Sequence, residues 1–105
     1  MASKYRNQPV IIDGVRFMSK AEGARYLDLK MLQHGGYIQD LKLQPRYTLM
    51  VNDVKICTYV ADFRYFDTKH KREVVEDVKG VKTPVYKLKS KLVFALLGIK
   101  IVEIA

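Results

Sequence analysis

Asp62, Asp77 and Lys79 form the set of side chains in this sequence best suited to act together. Fourteen residues separate the two acids, and both lie in stretches rich in β-branched and aromatic residues, "TYVADFRYF" and "VVEDVKG". If these stretches pair as a hairpin with Phe66 opposite Glu73, then Asp62 falls opposite Asp77 and Val60 opposite Lys79. Side chains alternate along a strand, so Asp62, Asp77 and Lys79 then project from one face. Two carboxylates about 5 Å apart repel unless a cation lies between them. A hard divalent cation suits the pair: Mg²⁺ or Mn²⁺ takes oxygen ligands, and the Val78 backbone carbonyl and a substrate phosphate supply more of them. Such an ion polarises a phosphodiester and acidifies a bound water, while Lys79 orients that water or meets charge on phosphorus. The chemistry predicted is hydrolysis of a nucleic-acid backbone.

The elements that must position this set follow from turn and cap signals. "PVIIDGVRFMS" places Asp13-Gly14 between two apolar stretches, a hairpin signal that needs positive φ. Ser19 with Glu22 three residues later is a capping box, and Gly35-Gly36 a stop, which predicts a first helix over 19–36. From Ile38 to Val51 the helical period is lost, Val51-Asn52-Asp53-Val54 turns the chain, and Lys55 to Phe66 reads as one long strand. Asp67 to Arg72 is the next turn and Glu73 to Gly80 the following strand. Thr83-Pro84 opens a second helix that runs to Gly98, with Val85, Leu88, Leu92, Ala95 and Leu96 on one side. "IKIVEI" alternates as a last strand. Ala61, Phe63 and Tyr65 are expected on the core face with Val74 and Val78. After the N-terminal hairpin the order is αβββαβ, an α/β or α+β fold depending on how the last strand pairs.

Size and composition bound the function. The 105 residues suit a single domain over 1–105, and 49% hydrophobic with 29% charged residues is the mix of a soluble globule. The longest apolar run, Leu92 to Ile99, is far short of the roughly 20 residues that cross a bilayer, so no membrane partner is expected. "MASKYRNQPV" has no apolar core of a secretory signal, and the single Cys57 fits a reducing cytosol and excludes a zinc-thiolate cluster. Nineteen Lys and Arg against eleven Asp and Glu give +8, and Lys79, Lys82, Lys87, Lys89 and Lys91 follow one another with no acid among them. A polyanion is a plausible partner for such a chain.

Asp62 followed by Asp77-Val78-Lys79 resembles the D…(D/E)-x-K signature of the PD-(D/E)XK nuclease superfamily, with Ala61 in place of proline and Asp77 for the commoner glutamate. The whole chain, from "VIIDGVRFMSKAE" through "LQPRY" and "YVADFRY" to "VVEDVKGVKTPVYKLK", is similar to a small phage- and prophage-encoded family of unknown function usually placed among those nucleases. The resemblance implies a restriction-endonuclease-like αβββαβ core, Asp62 and Asp77 as metal ligands, Lys79 as catalytic lysine and Glu22 as a further metal-site acid. It further implies a Mg²⁺- or Mn²⁺-dependent endodeoxyribonuclease acting on DNA in the cytoplasm of a bacterial host, in a superfamily whose members often form homodimers. Branched or replicating DNA is one candidate substrate. The competing reading is a non-catalytic DNA-binding module of a packaging or recombination complex; a protein-interaction domain is a third.

Several residues have structural rivals for these roles. Glu22 would bind the Ser19 amide in a capping box, although Tyr26 and Leu29 on its helical face turn it towards the sheet. Asp62 would pair with Arg64 or Lys79. Glu76 falls on the opposite face, where a solvated or lysine-paired role is expected, and a one-residue slip would exchange it with Asp77. Gln44 reads as a strand-end amide that can reach the site. Lys82, Lys87 and Lys91 suit phosphate contacts or simply solubility, with Lys87 and Lys91 one helical turn apart. His34 and His70 lack a second ligand at metal spacing, Tyr59, Tyr65 and Tyr86 read as packing residues, and Cys57 as a small core side chain.

Overall fold

Residues 8–105 are described by a computed structural model; the basic N-terminal stretch read above for a signal sequence lies mostly outside the described residues. The chain opens with β1 (Val10–Ile12) and β2 (Val15–Phe17), joined by Asp13 and Gly14 at φ 54° and 76°. Both central residues therefore have the left-handed backbone that a two-residue hairpin needs. Helix α1 (Lys20–His34) starts on Ser19, whose hydroxyl accepts the Glu22 N–H at 3.1 Å, and stops at Gly35. It packs closely on the hairpin at Gly23, where an added Cβ would come within 2.7 Å of Val10. Asp13 ties the two together by accepting the Tyr26 hydroxyl at 2.7 Å.

The two long strands expected next are each broken in the middle. The first becomes β3 (Ile38–Leu43) and β4 (Arg46–Val51), the second β5 (Val54–Val60) and β6 (Phe63–Asp67). Gln44 with φ 52° and the following Pro45 bend one strand, and Ala61 and Asp62 bend the other beside it. The ladder continues through the bend, because Gln44 N–H donates to the Asp62 carbonyl at 2.9 Å and Ala61 N–H to the Pro45 carbonyl at 3.0 Å. One long hairpin thus contributes β4–β5 as a separate ribbon and β3–β6 to the main sheet, whose order is β3-β6-β7-β8. Strand β7 (Arg72–Val78) stops two residues short of the expected end, and Phe66 pairs with Glu73 as the sequence predicted. Helix α2 (Pro84–Leu97) has Thr83 as N-cap and Gly98 at φ 70° as C-cap, and returns the chain to β8 (Val102–Ile104), parallel to β7. The fold is α+β: the αβββαβ order holds, and the sheet is mixed.

Two apolar clusters flank β6 and β7. Phe17, Tyr26, Leu29, Ile38, Phe63 and Tyr65 form the one under α1, joined by Val74 and Val78. Leu49, Tyr59, Ala61, Val75, Tyr86, Val93 and Ile101 form the one under α2. Ala61 therefore does not share a face with Phe63 and Tyr65, as strict alternation predicted; the bend turns it over. Helix α2 also corrects the expected stripe. Tyr86 and Val93 face the core, while Val85 and Leu88 are each 61% exposed, about a quarter-turn or more away.

Candidate active site

Asp62 sits on the bend, where the β6–β7 ladder loses its regularity. Its N–H donates to the Glu76 carbonyl at 3.1 Å, and its own Oδ2 accepts the Val78 N–H at 2.7 Å in place of a backbone carbonyl. The carboxylate is thereby pinned to the strand that carries Asp77. N–H and C=O of one extended residue leave the same edge of a strand, so the Val78 carbonyl also faces the Asp62 side. Asp77 lies within hydrogen-bonding reach of Asp62, on the face the pairing register assigned to both.

Asp77 is only 2% exposed. The Tyr59 hydroxyl donates to its Oδ2, and the Lys79 ammonium lies 3.4 Å from its Oδ1. Lys79 in turn sits 4.5 Å above the centre of the Tyr86 ring, which favours one direction for its flexible stem. Tyr86 is fixed by donating to Glu103 at 2.8 Å. Tyr59 and Tyr86, expected only to pack, thus also hold the acid and the amine. Their hydroxyl partners are 18 and 17 residues away in sequence, in elements whose approach the local pattern does not reveal.

Glu22 is buried at 7% exposure, and its carboxyl comes within hydrogen-bonding reach of Asp62. Its Oε2 accepts the Met18 N–H at 3.2 Å, so the capping contact reaches one residue further back than the Ser19 amide expected. One carboxylate therefore caps α1 and joins the acidic cluster. Burial pushes the Asp62 carboxyl up to about 6; Glu22 adds to the rise, while Asp77 and the Val78 N–H oppose it. Burial likewise raises Asp77 to about 6, reinforced by Asp62 and countered by Tyr59 and Lys79. Burial and the bond to Asp77 raise the Tyr59 phenol, which stays a proton donor.

Glu76, next in sequence to Asp77, points to the α1 face. It is 1% exposed rather than solvated, and its partner is an arginine, not a lysine. Arg25 Nε donates to Oε1 at 2.8 Å and Arg25 Nη2 to Oε2 at 2.6 Å, with the Tyr65 hydroxyl as a third donor. Arg64 pairs with Glu73 and not with Asp62. Gln44 adjoins the site through its backbone. Lys82 pairs with Glu103 at 2.8 Å, whereas Lys87 and Lys91 are exposed on α2 with no ion pair among the described residues. His70 binds Asp67 in the β6–β7 turn, His34 ends α1, and Cys57 is partly buried.

Glu22, Asp62 and Asp77 offer only hard oxygen atoms, the donor set that Mg²⁺ or Mn²⁺ takes. Among the described residues no group of three acid, His or Cys side chains is arranged to hold a metal ion; Tyr59 and Lys79 meet Asp77, and the Met18 N–H meets Glu22. Among the described residues two desolvated carboxyls and a third acid meet one ammonium, that of Lys79, which leaves the cluster with an excess of acid. Among the described residues no helix is long and apolar enough to cross a membrane. No curated protein and no solved structure matches the sequence. A family of proteins of unknown function, DUF1064, matches residues 2–98, and the chain belongs to that family.

Proposed function

We propose that this protein is a Mg²⁺- or Mn²⁺-dependent endodeoxyribonuclease of the PD-(D/E)XK type, of phage or prophage origin. The observation that carries the reading is the meeting of Asp62, Asp77 and Glu22 at a strand bend, with Lys79 3.4 Å from Asp77. In this reading Asp62, Asp77, Glu22 and the Val78 carbonyl hold the ion. When bound, the ion polarises the phosphodiester and lowers the pKa of a water. Lys79, directed by Asp77 and the Tyr86 ring, orients the attacking water or offsets charge on phosphorus. The Val78 N–H fixes the Asp62 carboxylate, and Tyr59 holds Asp77. With both carboxyls raised to about 6, protons compete for the ligand atoms in acid, and the site is fully ionised only above neutral pH. Lys87 and Lys91 supply phosphate contacts beside it.

The purified protein is tested on plasmid, linear and branched DNA with Mg²⁺, Mn²⁺ or EDTA. Metal-dependent cutting that disappears in Asp77→Ala and Lys79→Ala supports the reading; no cutting with either metal overturns it. A second reading is favoured by the near-complete burial of Asp77 and the protein donors on both its oxygens. It is a DNA-binding module that keeps the fold without the reaction. That module binds DNA as well after Lys79→Ala as before and cuts in no metal.

A further inference from the structure

Helix α2 carries more apolar surface than its own domain uses. Only Tyr86 and Val93 are fully buried, seven residues apart and so on one side of the helix. Val85, Leu88, Leu92 and Ala95 follow one another at steps of three, four and three, the spacing that aligns side chains as a seam for a second helix. At roughly 3.6 residues per turn this seam lies about a third of a turn away from Tyr86 and Val93. Val85 and Leu88 are each 61% exposed and Leu96, on the border of the seam, 39%, while Leu92 is half-buried on the cluster beneath. Among the described residues no element packs over Val85, Leu88 or Ala95. A contiguous exposed apolar row of this kind marks an interaction surface on a folded domain.

Charge says what covers the seam. Lys87 and Lys91, one helical turn apart, run along one border: Lys91 lies three residues after Leu88 and four before Ala95. Both are exposed and form no ion pair among the described residues. Lys89, on the other border, is turned to the β4–β5 ribbon, where its Nζ donates to the Thr58 carbonyl at 3.3 Å. No acid occurs between Lys79 and Val102, so a second copy laid seam to seam would set lysines against lysines with nothing to neutralise them. A foreign helix with Asp or Glu along the matching border of its own apolar stripe satisfies both features at once. We propose that the outer face of α2 docks an amphipathic helix of another protein, with apolar side chains on Val85, Leu88, Leu92 and Ala95 and carboxylates on Lys87 and Lys91. The 14 residues of α2 span about 21 Å, so the contact belongs to the small, transient class of interface, below about 1,200 Å², with affinity on the order of tens of micromolar. Docking stands whether or not the same lysines also contact DNA.

The full-length protein, free of DNA and metal, is titrated into two fluorescein-labelled synthetic helices of roughly 18 residues. Both carry leucine at the seam positions of the heptad; one has glutamate and the other lysine along the borders. Fluorescence anisotropy should saturate with the glutamate helix at a Kd of about 10–100 μM in low salt, and the lysine helix should bind about tenfold or more weakly. Leu88→Ser, a change at an exposed side chain that leaves the thermal melt in place, should weaken the glutamate helix about tenfold. The double reversal Lys87→Glu/Lys91→Glu should exchange the preference, so that the lysine helix binds and the glutamate helix does not. No saturation by the glutamate helix at millimolar protein, equal affinity for the two helices, or affinity that Leu88→Ser leaves unchanged overturns the inference. So does a concentration-dependent dimer in sedimentation, or co-sedimentation with phosphatidylglycerol vesicles, that Leu88→Ser abolishes, because the seam then belongs to a second copy or to a lipid surface.

Discussion

Glu76 and Asp77 are neighbours in one strand, almost equally buried, and differ in what surrounds them. Glu76 faces α1, where a forked Arg25 and the Tyr65 hydroxyl meet its charge. Asp77 faces the other side, where Asp62 adds a second carboxyl, Glu22 a third further along, and the Lys79 ammonium stands 3.4 Å away. Burial of an acid is thus no sign of function in itself. A matched acid fastens α1 to β7 and, because Arg25 lies one helical turn beyond Glu22, holds Glu22 where it meets Asp62. An unmatched pair stays protonated to higher pH, and a cation relieves it.

Neutral isosteres on the two faces should separate these roles. The largest effect on stability is expected from Glu76→Gln, which leaves Arg25 without its counter-charge and destabilises by about 2–3 kcal/mol in chemical denaturation. Asp62→Asn keeps an acceptor for the Val78 N–H and removes a repelling charge. It should raise Tm at pH 7.5 in EDTA, the opposite sign, while abolishing cleavage. A fall in Tm for Asp62→Asn as large as that for Glu76→Gln would erase the distinction.

The pH dependence has a defined sign. The folded carboxyls at about 6 bind protons more tightly than the ordinary 3.8, so the folded state holds more protons between those values. Stability of the metal-free protein that comes from this pair is full below about pH 4 and declines as pH rises to about 6. Thermal melts across that window should show a decline that shrinks in Asp62→Asn and persists in Lys87→Ala. The smallest effect is expected from Lys87→Ala and Lys91→Ala: each lowers the salt slope of DNA affinity by about one and leaves cleavage of bound DNA intact.

Much of this arrangement was legible in the sequence because it rests on local signals. Asp13-Gly14 and Asn52-Asp53 set their turns, Ser19 and Thr83 capped their helices, and the Phe66 to Glu73 pairing carried Asp62 and Asp77 to one side. The bends were hidden, since "KICTYVADFRYF" has unbroken strand propensity and only the adjacent Gln44-Pro45 kink explains its break. Glu76 was read as solvated or lysine-paired, and its arginine partner went unseen because it lies 51 residues away, beyond any periodic pattern. The apolar stripe of α2 was right at Leu92, which packs on the cluster under the helix, and wrong at Val85 and Leu88, because the core there took Tyr86 and Val93. Tyr47, whose hydroxyl is buried with no hydrogen-bond partner among the described residues, gave no signal at all, because its surroundings form only on folding.

Calorimetric titration of Mn²⁺ into the metal-free protein at pH 6 and pH 8, in buffers of different ionisation enthalpy, tests the acidic cluster most directly. Binding should release protons at pH 6 and almost none at pH 8, persist in Lys87→Ala, and be lost in Asp62→Asn and Asp77→Asn. Absence of Mn²⁺ binding at millimolar concentration, or binding that both asparagine variants retain, would contradict a cation site between these carboxylates.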